Sequence, residues 1–197
     1  MTTANTQTRY GAVAMTLHWL IALAVIINIA LGLYFPDLPR SDPNKFMLLQ
    51  LHKSIGLTVL VLSLARLGWR LINPVPPLPA NMPTILKWAA HGSHFLLYFL
   101  IIAIPLSGWL LVSSSPLGLP TMYFGVIEWP NLPGFADMTR AARKPLSHEF
   151  GDVHSYLAWS AIVLVPIHIG AALYHQFIRH DNILMRMLPG TKAEKIA

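Results

Sequence analysis

The chain has 197 residues, of which 54% are hydrophobic and only 11% charged, where a typical soluble domain is about 25% charged. That balance excludes a soluble globular domain and a disordered chain alike. The formal net charge of +6, in so apolar a chain, is read as Lys and Arg flanking membrane spans and not as a nucleic-acid surface. The absence of cysteine excludes disulfides, thiolate zinc sites, iron–sulfur clusters and haem attached through C-x-x-C-H.

A membrane-spanning helix needs about 20 mostly apolar residues. Four stretches qualify, at about residues 13–35, 48–72, 86–112 and 150–178. The first has too long an apolar region for a cleaved signal peptide, and no A-x-A-like site follows it. Pro74 to Pro83, PVPPLPANMP, cannot be helical and is read as a linker. Residues 113–147 form the long loop, rich in Pro, Gly and aromatics and expected to pack on the membrane surface. Pro105 and Pro166 are expected to kink their helices. The expected fold is all-α: one membrane domain, residues 1–197, folded as an up-down-up-down four-helix bundle.

Orientation follows from the basic residues near the span ends. With the N-terminus inside, eight fall inside (Arg9, Arg66, Arg70, Lys87, Arg179, Arg186, Lys192 and Lys195). Six fall outside (Arg40, Lys45, Lys53, Arg140, Arg143 and Lys144). Both termini are therefore expected to be cytoplasmic.

Nine histidines against eight carboxylates are the unusual feature. Ionisable groups inside a bilayer are costly and mark function. The spans hold His18, His52, His91, His94, His154, His168 and His175, while His148 and His180 flank the fourth span. His154 and His168 are fourteen residues apart, so they face nearly the same way and lie about 21 Å apart along the helix. Counting from flanking charges puts His52 level with His154, and His18 level with His168. His94 is a shallower rival to His18. Each pair offers two imidazoles to one metal.

Zinc in a closed site needs four ligands, and copper fits less well than haem. Haem iron needs only two axial side chains, because the porphyrin supplies four nitrogens. Two bis-histidine b-type haems are the economical reading. Arg66, Arg70 and Lys53 are candidate partners for the propionates, with snorkelling to headgroups as the plain alternative. His91 and His94 share a face of the third span and could satisfy backbone groups, contact a propionate or line a quinone pocket. His175 continues the stripe of His168 and could donate a proton at a quinone site or be interfacial.

The chain carries, in order, LHWL around His18, LHKSIGL around His52, RLGWRL at the exit of the second span and HGSHFLLYFLIIAIPLSGWL in the third. It ends in HIGAALYHQFIRHDNILMRMLP. This ordered set resembles the bacterial cytochrome b561 family over nearly the whole chain. The resemblance implies a dihaem electron carrier of the bacterial inner membrane with ubiquinone as acceptor, and it supports His18, His52, His154 and His168 as ligands. One member type oxidises superoxide and reduces ubiquinone. Under that reading Arg140, Arg143, Lys144 and Lys53 could steer the anion to the outer face, with a solvated loop as the plain alternative for Arg140 to Lys144. Related dihaem proteins serve as subunits of hydrogenases and formate dehydrogenases, and four spans without a large docking domain favour a stand-alone protein. A haem-free proton or metal transporter lined by histidines is the reading from another class.

Overall fold

The computed structural model describes residues 2–191. Lys192 and Lys195, counted above for orientation, lie outside them. Four long helices dominate: α1 Ala12–Tyr34, α2 Pro43–Ile72, α3 Thr84–Ser114 and α4 Arg140–Phe177. All four are long and apolar enough to cross a membrane. The protein is a four-span helical membrane protein.

Local chemistry sets the helix ends. Asp42 Oδ1 accepts the Asn44 N–H at 2.8 Å, with Pro43 in the first helical position of α2, a favoured start. Thr139 Oγ1 accepts the Ala142 N–H at 3.3 Å and caps α4. Asn73 is followed by Pro74, which disfavours helical geometry in the residue before it, and α2 stops at Ile72. At the end of α4, His180 has φ 52° and the Asp181 N–H returns to the His175 carbonyl at 3.3 Å. This left-handed turn closes the helix.

Two features add to the sequence reading. The helix that carries the fourth span starts at Arg140, ahead of the expected span start near Phe150, so His148 lies inside it. Hydropathy detects only the part of a helix that lipid must accept, whereas 38 residues span about 57 Å. The loop between α3 and α4 is correspondingly shorter than the expected 113–147, running over 115–139. It holds a hairpin of β1 Thr121–Tyr123 and β2 Ile127–Trp129, antiparallel, with Met122 opposite Glu128. Its turn places Phe124 at φ 48° and Gly125 at φ 73°.

The described residues form two compact units. The first comprises residues 2–21, 62–99 and 161–191; the second comprises 22–61 and 100–160. Each contains a segment of all four helices. Small hydroxyl side chains share the fully buried positions with Leu100: Ser63 in the first unit, Ser54 and Ser114 in the second. Small residues of this kind let membrane helices approach closely. Large apolar chains such as Leu23, Phe95 and Tyr156 point outward instead, as lipid requires of its protein solute.

Candidate functional site

In the second unit α2 and α4 bring the His52 and His154 rings opposite one another. Their ring centres are 6.2 Å apart with planes at 82°. His52 Nδ1 lies 3.1 Å from the Asn28 carbonyl of α1. His154 Nδ1 lies 3.0 Å from the Ile104 carbonyl of α3 and 3.1 Å from Ser107 Oγ. A carbonyl accepts only, so Nδ1 carries the proton and Nε2 keeps its lone pair. Metal-bound histidines are oriented in this way.

Both rings also rest on a glycine. A Cβ at Gly32 would stand 3.0 Å from His52 Cε1, and one at Gly108 would stand 3.1 Å from His154 Cε1. In each case the glycine follows the accepting carbonyl by four residues. Asn28 with Gly32, and Ile104 with Gly108, form one kind of socket built twice. Phe35 sits 5.5 Å from the His52 ring.

In the first unit His168 of α4 has two neighbours. His18 of α1 lies 6.3 Å away at 73°, and His94 of α3 lies 5.5 Å away at 68°. Arg66 Nη1 donates to the Ala14 carbonyl at 2.6 Å, one turn before His18. The guanidinium carbons of Arg66 and Arg70 lie 5.8 and 5.4 Å from the Tyr98 ring centre. Among the described residues neither arginine pairs with a carboxylate.

His175 Nδ1 meets Asp181 Oδ2 at 2.6 Å, with Arg179 Nε 3.5 Å from the same oxygen. The Asp181 side chain is buried, and its Oδ1 has no partner. His91 is exposed. His148 and Asp152 lie 3.8 Å apart, both well exposed. Lys53 Nζ donates to the Pro120 carbonyl and to Thr121 Oγ1, each at 3.1 Å.

Which group fits these paired rings? Two metal–imidazole bonds of about 2 Å each, with two ring radii of about 1 Å, put ring centres about 6 Å apart. The separations of 6.2 and 6.3 Å match this; the 5.5 Å between His94 and His168 is short for it. Among the described residues no three His, Asp or Glu side chains converge as an all-protein metal cage. Two free nitrogens across such a gap suit an iron whose other four ligands come from a porphyrin.

The sequence did not reveal Asn28, Gly32, Phe35, Ser107, Gly108 or Asp181 as parts of these sites. Asn28, the one amide in the apolar stretch that follows His18, is the signal the sequence carries for them.

Four apolar spans without cysteine, holding histidines in facing pairs, define a membrane cytochrome of the b type. The chain belongs to the prokaryotic cytochrome b561 family, whose sequence model matches residues 9–190. It is 38% identical to cytochrome b561 homolog 2 of Escherichia coli K12, over 95% of each chain. It is 27% identical to the probable superoxide oxidase CybB of Yersinia pestis, over 92% of this chain and 96% of that one. It is 28% identical to cytochrome b562 of Cereibacter sphaeroides, over 91% and 94%. It is therefore a multi-pass inner-membrane electron-transfer protein with haem b as its cofactor and quinone and redox proteins as the partners of its family.

Proposed function

We propose that this chain is a dihaem superoxide:ubiquinone oxidoreductase, with both termini cytoplasmic and the His52/His154 end facing the periplasm. The observation that supports it most is the pair of ring separations, 6.2 and 6.3 Å, each matching one iron between two imidazoles. The likeness to a probable superoxide oxidase supports the choice of donor.

His52 and His154 would hold one haem, and His18 and His168 the other. Haem bound in this way supplies one-electron transfer. The protein does the rest. The Asn28/Gly32 and Ile104/Gly108 sockets fix the tautomer and tilt of the outer rings. Arg66 and Arg70, which lack a carboxylate partner, are suited to haem propionates, with Tyr98 as their common platform. Lys53 is held by the hairpin, where it adds positive charge beside His52. Together with Arg140, Arg143 and Lys144 it would draw in a small anion.

The overall reaction balances simply. Two superoxide ions each lose one electron to become dioxygen, and ubiquinone gains two electrons and two protons to become ubiquinol. The His175–Asp181 pair places a proton-bearing imidazole and a buried carboxylate beyond His168 on α4, and it is assigned the protonation of quinone on the cytoplasmic side. His94, with His91 one turn earlier, is assigned to the same proton path, because its ring is too near His168 for it to replace His18 on the iron.

The test is a superoxide-generating system outside proteoliposomes that hold the pure protein and ubiquinone. Catalysed ubiquinol formation that superoxide dismutase abolishes is expected. A protein that holds its haems but forms no ubiquinol from superoxide would move the assignment to a haem subunit fed by another redox protein.

A further inference from the structure

We infer that the β1–β2 hairpin is a re-entrant element whose tip contacts lipid acyl chains. Its depth can be read from its partners in the second unit. Gln50 Oε1 accepts the Met122 N–H at 3.0 Å, and Ser54 Oγ accepts the Phe124 N–H at 2.9 Å. Tyr123 shares a 2.9 Å hydrogen bond with Thr58. The backbone therefore descends along α2 from the level of Gln50 to that of Ser54, past His52, and the Tyr123 side chain reaches on to Thr58.

His52 is itself level with Asn28 and Gly32 of α1, through its bond to the Asn28 carbonyl and its contact at Gly32. Helix α1 stays apolar to its end at Tyr34. Asn28 is six residues before that end, which is about 9 Å of helix. The tip at Phe124 thus lies well inside the apolar length of α1.

Non-helical backbone at that depth must satisfy its own polar groups. The N–H groups of this turn are so placed: that of Val126 returns to the Tyr123 carbonyl at 3.1 Å, that of Gly125 lies 3.4 Å from the Met122 carbonyl, and that of Phe124 is taken by Ser54. What remains outside is apolar. Phe124, Val126 and Ile127 are 51%, 78% and 61% exposed, the level found for Val61 and Leu64 on α2 at 53% and 51%. Glu128, exposed two residues after Val126, sits about 7 Å back along the strand toward water.

The absence of cysteine makes the test direct. Val126→Cys and Asp137→Cys, each labelled with bimane, are placed in phosphatidylcholine vesicles with plain or brominated acyl chains. An unchanged visible spectrum verifies the fold, and Ile127→Cys serves as a second tip position. The tip label should lose about half its emission in brominated lipid and resist iodide, with the reverse at Asp137, an exposed loop residue. Iodide quenching at the tip would overturn the inference. So would resistance to both quenchers, which would show the tip covered by protein.

Discussion

Gly32 and His52 sit so close that a side chain on Gly32 would crowd the ring: a Cβ there would stand 3.0 Å from Cε1, so the imidazole would have to give by a few tenths of an ångström. The ring needs that space because its Nδ1 reaches the Asn28 carbonyl, one turn back on the same helix. Gly108 and His154 repeat the relationship at 3.1 Å. Alanine is the better helix former by about 1 kcal/mol, so glycine here costs helix stability. The position is explained by the ring it admits.

Gly32→Ala and Gly108→Ala should therefore each displace one outer imidazole and deplete one of two haems. Gly68→Ala, where a Cβ would meet nothing within 4 Å, should leave haem content unchanged. Haem per chain, measured as pyridine haemochrome, distinguishes these outcomes.

The ligand assignment separates four histidines from a fifth. His154→Ala and His168→Ala should each remove one haem, and His18→Ala should match His168→Ala. His94→Gln should keep both haems and slow quinone reduction. A His94 variant that loses the inner haem while His18→Ala keeps it would reverse the inner pair.

Ser107 acts on His154 through a hydrogen bond. Its Oγ donates to the Ile104 carbonyl at 2.7 Å and so accepts from His154 Nδ1 at 3.1 Å. Accepting that proton makes the imidazole a stronger electron donor. Ser107→Ala should raise the potential of one haem by about 40 mV, from a bond of about 1 kcal/mol. The other haem should not move in a potentiometric titration.

Asp181→Asn keeps the shape of the His175 contact and removes the carboxylate charge. Quinone reduction should fall by about a hundredfold, the scale of one general acid or base, while the haem spectrum stays the same. Stopped-flow reduction by superoxide should be unaffected, because that step needs no proton from this end.

The sequence made some of this legible. Hydropathy exposed the four spans because lipid imposes apolar length. Counting from Lys45 and Lys144 placed His52 beside His154, because helical rise is fixed. The hairpin stayed hidden, although TMY-FG-VIEW between Pro120 and Pro130 carries its strand and turn residues. Its strands have three residues each, too few for a periodic pattern. The sockets stayed hidden because Asn28, Gly32, Ile104 and Gly108 belong to helices other than those of the histidines they serve. Asp181 reaches His175 only through the left-handed turn at His180, which sequence periodicity does not describe.

The central claim is that this chain holds two haems, each between a facing pair of histidines. The most direct measurement is the haem-to-chain ratio of the purified protein, taken with its reduced-minus-oxidised visible spectrum after expression with ample haem. The account predicts two b-type haems per chain, both low-spin. One haem per chain, or none, would contradict it.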